Sequence, residues 1–297
     1  MILLKKCPVC ESKIFNFFIE CKDHSTSKEI FKIVSCETCG FKFTNPRPEE
    51  KKIGKYYESE NYISHTNKKS GVFNWLYQNI RKHTLSRKAK LVLKLNKNKK
   101  INLLDFGCGT GDFLNQCKKL NMNVFGVEPS KKARDEALNS FKIKAEEKTD
   151  LKGYEKNLFD TITLWHVLEH LYPLEETIKN LHRTMKDDGH LLVAVPNINS
   201  WESTYYNSFW AAWDVPIHLW HFTPSTLTRL FEKHGFVVVK KKPMLFDSFY
   251  ISILSEEYKT GSKNYIKAAI IGFISNIIGI ITSKGTSSVL YILKKNN

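Results

Sequence analysis

Two Cys-x-x-Cys pairs, Cys7-Pro-Val-Cys10 and Cys36-Glu-Thr-Cys39-Gly40, stand near the start of the 297-residue chain. Four thiolates are the donor set of a tetrahedral zinc ion, and Gly40 suits the tight turn that aims sulfur inward. With four sulfurs no coordination position is left open, so the expected zinc is structural. A redox disulfide pair is the alternative, and Cys21 and His24 are substitute ligands that a complete four-thiolate site does not need. A second chemistry-bearing run is Asp105-Phe-Gly107-Cys108-Gly109-Thr-Gly111-Asp112. Glycines let the main chain pass close beneath a ligand with no Cβ in the way. Glu128 follows, a carboxylate able to accept hydrogen bonds from both hydroxyls of a ribose. A dinucleotide fingerprint would read Gly-x-Gly-x-x-Gly; here the third glycine comes one residue early and Asp112 takes its place, which counts against NAD. A third set is histidine, at His166, His170, His218 and His221. The imidazole is the natural base near neutral pH, and His166, Glu169 and His170 also have metal-ligand chemistry.

The elements around these residues alternate. The short apolar run Ile101–Phe106 reads as a strand ending in the glycine turn, followed by a helix to about Leu120. Val124–Glu128 is a second strand, and Ser130 caps a helix reaching about Asn139. Phe159–Trp165 is a third strand and Leu174–Met185 an amphipathic helix. Asp187-Asp188-Gly189 reads as a turn into strand Leu191–Val195. Thr223-Pro224 starts a helix to about His234, and Phe236–Lys240 and Ser288–Leu293 are further strands. This alternation predicts an α/β fold, a parallel sheet covered by helices on both faces. Three parts are expected: a zinc ribbon over 1–48, ending at Asn45-Pro46-Arg47-Pro48; a basic, mostly helical linker or cap over 49–100; and the α/β domain over 101–297. Within the last, an aromatic lid spans about 197–223, and an apolar helix spans about 265–282, with a stripe at Ile266, Ala269, Ile270, Phe273, Ile274, Ile277, Ile278 and Ile281, while Ile271 and Ile280 lie off it and make both sides apolar.

Composition sets the bounds. At 42% hydrophobic and 12% aromatic the chain can bury a sizeable core, and wholesale disorder is excluded. Seven cysteines are too few for a disulfide scaffold of this length. The net charge of +16 favours an anionic partner, such as phospholipid headgroups or a phosphorylated substrate. Lys far outnumbers Arg, which counts against base-specific nucleic-acid recognition. The N-terminal apolar run Ile2–Leu4 is too short for a signal peptide, and the uncharged stretch Ala268–Ser283 is shorter than the roughly 20 residues that span a bilayer. The expectation is a cytoplasmic protein whose apolar helix packs on the domain, meets a homodimer partner, or touches a membrane peripherally.

Asp105–Gly111 resembles motif I of the class I S-adenosylmethionine-dependent methyltransferases. Glu128-Pro129-Ser130 resembles their ribose-binding strand end, Phe159–His170 their fourth strand and following loop, and Leu181–Pro196 their fifth-strand region. Together with the Cys-x-x-Cys ribbon and the segment Phe209–Phe222, the chain is similar to bacterial methyltransferases often linked to cell-surface glycan or lipid-linked modification. A Leu-Glu-His like Leu168–His170 occurs in ubiquinone-type O-methyltransferases, with Glu where His166 stands. The resemblance implies a Rossmann-like class I sheet and S-adenosyl-L-methionine as cofactor. Gly107, Cys108, Gly109 and Gly111 would cradle its methionine part, Asp105 would orient the turn, Glu128 would hold the ribose, and Pro129 and Glu146 would lie near adenine. His166 and His170, then His218 and His221, are the candidate bases. The expected reaction is O-methylation of a small-molecule, sugar or lipid-linked acceptor. Alternatives are C-methylation of a nucleotide-linked sugar, rRNA methylation, and a non-catalytic zinc-ribbon binding protein on the same fold.

Overall fold

A computed structural model describes residues 1–57, 72–97, 100–147 and 149–296, with no side chains for 72–77. Residues 58–71, 98 and 99 of the expected basic linker lie outside it. The first element is a hairpin, β1 (Phe15–Lys22) and β2 (Ile30–Cys36), followed by the short β3 (Lys42–Thr44) and a 3-10 helix at Glu50–Tyr57. Helix α1 (Val72–Leu95) then leads into β4 (Asn102–Phe106), α2 (Asp112–Lys118), β5 (Asn123–Val127), α3 (Lys131–Phe141) and β6 (Phe159–Trp165). Helix α4 (Leu174–Thr184), β7 (Met185–Pro196) and α5 (Trp201–Tyr206) follow. The chain closes with β8 (Trp220–His221), α6 (Pro224–Lys233), β9 (Phe236–Pro243), α7 (Leu245–Thr260), α8 (Tyr265–Ile281) and β10 (Ser288–Lys295).

Six strands form the main sheet in the order β5-β4-β6-β7-β10-β9. The first four run parallel, and β10 is inserted antiparallel between β7 and β9. Beyond β5 a single parallel bridge, Val127 to Glu146, stands where another strand would extend the edge. The central strands are apolar on both faces because helices cover both. Leu103 and Leu104 are fully buried, as are Leu191, Leu192, Val193 and Ala194 in β7. Parallel strands need crossovers, and a crossover helix covers the face it crosses.

Two sequence expectations change. Asp187-Asp188-Gly189 does not begin the strand. It bulges within β7, between the pairs Phe159–Met185 and Thr161–His190, and Lys186 reaches back to Asp160 at 2.7 Å. Helix α8 is turned against its sequence pattern. Ala268, Gly272, Ser275 and Asn276 are buried, whereas Ile266, Phe273 and Ile281 are 77%, 59% and 78% exposed. Its inward face is set by close approach: a Cβ on Gly272 would meet Phe249 at 2.9 Å, and one on Gly279 would meet the Gly285 main chain at 2.6 Å. Ile271 is buried beside these small residues, while most of the other large apolar side chains point outward.

The second sheet, β1-β2-β3-β8, is antiparallel throughout. Its fourth strand comes from the aromatic segment 197–223: Lys42 pairs with His221 and Phe43 with Trp220. Phe41, Phe43, Trp220 and Phe222 form a buried aromatic seam between the N-terminal residues and the α/β core. The Cys pairs lie at one end of this sheet.

Candidate active site

The glycine turn leaves β4 at Asp105 and enters α2 at Asp112. Gly107, Gly109 and Gly111 all have positive φ, of 78°, 53° and 80°. Their surroundings differ. A Cβ on Gly107 would strike Val167 Cγ2 at 2.5 Å, and one on Gly111 would meet Ala137 at 3.0 Å, whereas none of the described residues comes within 4 Å of a Cβ at Gly109. Gly107 is thus required by packing and Gly109 borders open space. The Gly107 and Cys108 amides both donate to the Val127 carbonyl, which ties the turn to β5. Cys108 itself is buried, its sulfur against Gly126.

Glu128 ends β5 opposite this turn. Its Oε2 accepts from the Gly109 amide at 2.9 Å and its Oε1 from the Ser130 amide at 2.8 Å. Each oxygen keeps a lone pair for another donor. Pro129 is exposed beside it, and the guanidinium of Arg134 donates to the carbonyls of Glu128 and Pro129. The Glu146 main chain bonds Gly126 and Glu128. Asp105, 2% exposed, accepts from the Thr163 hydroxyl at 2.6 Å. Burial pushes its pKa up to about 7, against the Thr163 hydrogen bond and the Lys88 charge.

Val167 joins this turn to the histidine segment. Next to it His166 sits at φ 58°, a left-handed position that costs a non-glycine residue energy and that surrounding contacts must hold. Those contacts are the His166 amide to the Ala194 carbonyl, Nε2 to Asp247 at 3.0 Å, and Nδ1 to Glu169 at 3.5 Å. Burial works against a charged ring, but the hydrogen bonds to the two carboxylates outweigh it and push the pKa up to about 9. Lys88 of α1 approaches the same groups. Its ammonium lies 4.1 Å from the Trp165 ring centroid, and its charge acts on both Asp105 and Asp247.

The other side of Glu169 faces His170 and His218. One ligand atom from each of the three lies within 4.8 Å of the others. Glu169 is 1% exposed and pairs on one side with His166 Nδ1 at 3.5 Å. Both rings are held at Nδ1: His170 by the Ile217 carbonyl at 3.0 Å and the Tyr57 hydroxyl at 3.1 Å, His218 by the Ala212 carbonyl at 2.9 Å. A carbonyl fixes Nδ1 as the donor, so each Nε2 carries a lone pair. Burial and the neighbouring His218 bring His170 down to about 4, and burial also lowers His218. The same three groups could hold a divalent cation, since an Nδ1–H donated to a carbonyl is the usual support of a metal-bound imidazole. His221 is not part of this cluster. Its Nε2 lies 3.0 Å from the Thr44 hydroxyl, and its ring packs on Trp213 where the aromatic segment and the ribbon meet.

The four cysteines gather as their spacing requires. Cys7 and Cys39 sulfurs are 3.6 Å apart, Cys10 and Cys36 sulfurs 3.4 Å, and all four lie within 4.8 Å of one another. Asp247, Lys88 and Asp214 are the groups that sequence reasoning missed. Asp247 lies in α7, a segment with no distinguishing motif, and Lys88 is one lysine of many. Asp214 stands in the aromatic segment, where its carboxylate is 3.9 Å from His218 and burial raises its pKa to about 7.

Residues 77–241 match the family described as Methyltransferase domain. The chain is 27% identical over 182 residues to the ubiquinone biosynthesis O-methyltransferase of Pelagibacter ubique (strain HTCC1062), across 57% of this chain and 74% of that protein. Among solved structures, a SAM dependent methyltransferase from Archaeoglobus fulgidus shares the fold with a TM-score of 0.50 at 20% identity, covering 76% of this chain and 100% of that one. With the family match spanning more than half of the chain and a glycine turn facing a strand-end carboxylate, the chain belongs to the methyltransferase-domain family and is an S-adenosylmethionine-dependent methyltransferase.

Proposed function

We propose that the enzyme methylates an oxygen of a small-molecule, sugar-linked or lipid-linked acceptor, in the cleft between the glycine turn and the His166–His170 segment. The observation that carries this reading is the Val167–Gly107 contact, which puts a histidine–carboxylate cluster against the turn. In this reading the main chain of Gly107, Cys108, Gly109 and Gly111 cradles the methionine part of the cofactor. Asp105 orients the turn. Glu128 takes the ribose hydroxyls on its free lone pairs, and adenine lies by Pro129 and Glu146. The open space at Gly109 and the half-satisfied Glu128 carboxylate suit that ligand. When bound, the cofactor supplies an electrophilic methyl on its sulfonium.

His170 is the favoured base. It is neutral at pH 7, and its Nε2 is free to take the acceptor proton as the oxygen attacks. Glu169, buried between His166 and the His170–His218 pair, stabilises the imidazolium that forms. His218 is the second choice, with the same Nδ1 anchoring. His166 holds its proton between Asp247 and Glu169 and acts as an electrostatic support rather than a base.

Two further parts fit this reading. The Cys7, Cys10, Cys36 and Cys39 sulfurs suit a structural zinc: bonds of about 2.3 Å place the sulfurs of a tetrahedral site roughly 3.8 Å apart. The outward apolar face of α8, on a chain of net charge +16, suits an anionic membrane surface that would present a lipid-linked acceptor. Among the described residues no helix is long and apolar enough to cross a membrane.

The reading is tested with methyl-labelled cofactor and a panel of glycan and lipid-linked acceptors, with the product bond assigned by NMR. His170→Ala is expected to lower kcat roughly 10²-fold while cofactor affinity stays the same. Label found on carbon, or a His170→Ala enzyme with undiminished kcat, overturns it.

A further inference from the structure

A second cavity, of about 890 Å³, opens where the first cysteine knuckle meets α4. It shares no residue with the glycine turn or the histidine cluster. Three of its features point to the same class of ligand.

The first is Arg47. Its guanidinium stacks 4.4 Å from the Trp220 ring centroid and 5.3 Å from that of Tyr172, and the residue is only 4% exposed. Its Nε and Nη1 have no hydrogen-bond partner among the described residues. Stacking on rings offsets part of the cost of burying a cation, but it leaves these donors without acceptors. The arginine is also firmly placed. Arg47 and Ile2 exchange main-chain hydrogen bonds, and the Tyr172 hydroxyl donates to the Pro48 carbonyl.

The second is the N-terminus of α4, an 11-residue helix whose first turn lines the cavity. Pro173 occupies the capping position, and no side chain caps the helix. The Leu174 amide turns back to the Tyr172 carbonyl at 3.0 Å, the Glu175 and Glu176 amides have no capping side chain among the described residues, and the positive end of the helix faces the cavity.

The third is charge. Lys5, Lys6 and Lys179 line the rim, and none has an ion-pair partner among the described residues. Three glutamates also line it. Glu11 and Glu175 share Lys233, at 3.1 and 2.8 Å, and Glu176 is exposed.

We propose that this cavity binds a phosphate group carried by a small molecule, held by Arg47, the α4 N-terminus and the rim lysines. A planar guanidinium with unpaired N–H groups beside helix amides matches phosphate oxygens. Three flexible ammonium groups add the charge a dianion needs. The site lies at the seam of ribbon and catalytic domain, so its occupancy would bind the two together. It stands independently of the acceptor assigned above.

The test is calorimetric titration of the metal-loaded full chain with inorganic pyrophosphate. Binding is expected to weaken at least tenfold in Arg47→Gln and at least threefold in the rim double variant Lys6→Ala/Lys179→Ala. Cofactor affinity should be unchanged in the rim variant, which replaces only exposed side chains and so reports even if Arg47→Gln folds poorly. A parallel titration with vesicles containing phosphatidate separates the sources. Rim-dependent binding of free pyrophosphate supports a soluble phosphate ester, and rim-dependent binding of the vesicles alone supports a lipid headgroup in the same site. No binding of either probe, or binding indifferent to both variants, overturns the proposal. Because none of these readouts uses turnover, their failure is distinct from failure of the O-methylation reading.

Discussion

His166 shows how one residue can be readable in type and unreadable in role. A histidine just past a strand end, beside a glycine turn, looks like a base. In the role proposed above its partners make it an electrostatic support instead, because Asp247 arrives from α7 and Glu169 from the next turn. Its pKa is raised from 6.5 to about 9, so the ring stabilises the fold as a cation. That contribution is complete below pH 6.5 and disappears as the pH rises through about 9. Thermal unfolding should therefore show stability lost between pH 7 and 10, and this slope should flatten in His166→Gln; an equal slope in both proteins would refute the pairing. The cofactor side is testable residue by residue. Gly109→Arg fills the open space by the turn and Glu128→Ala removes the carboxylate, and each is expected to weaken cofactor binding at least tenfold in calorimetry. Unchanged affinity in both would displace the assigned site. Gly107→Ala should act on stability instead, costing about 1–2 kcal/mol for the left-handed backbone alone, with the Val167 clash added.

At the scale of elements, most of the α/β core was legible because each piece carries local signals. Ser130 caps α3 through the Ala133 amide, and Thr223 and Thr226 build a reciprocal capping box at α6. Helix α7 was not legible, since its aromatic and polar residues give no clean period. Helix α8 was legible as a helix, but not its orientation. Apolar periodicity normally marks the buried face, yet here glycine, alanine and serine lie against α7 and the loop at Gly285. In the proposed reading this exposed stripe is the face that meets an anionic membrane. Ile270→Ser/Phe273→Ser/Ile277→Ser should leave the thermal midpoint nearly unchanged and abolish sedimentation with anionic vesicles. Retained vesicle binding would send the stripe to another partner.

At the scale of the whole molecule, the aromatic segment and the cysteine sheet share strands. Because β8 pairs with β3 and Thr44 Oγ1 lies 3.0 Å from His221 Nε2, a change in the ribbon reaches the Asp214–His218 segment directly. Stripping the metal with a strong chelator should therefore lower the unfolding temperature and cut kcat together, with both restored by zinc. A midpoint that falls with turnover intact would show that the two sheets act separately.

The residues by themselves determined the chemistry available: four thiolates at knuckle spacing, a glycine turn with a carboxylate one strand away, and histidines past the fourth-strand position. These depend on local spacing, which the chain carries along its length. Only the tertiary structure decided which histidine keeps its proton, that His221 joins the aromatic segment to the ribbon, that Asp247 pairs with His166 and Lys88 approaches Asp105 and Asp247, and which way α8 faces. Each of those depends on groups far apart in the chain, and on burial, which changes the energy of a charge in ways that no local pattern encodes.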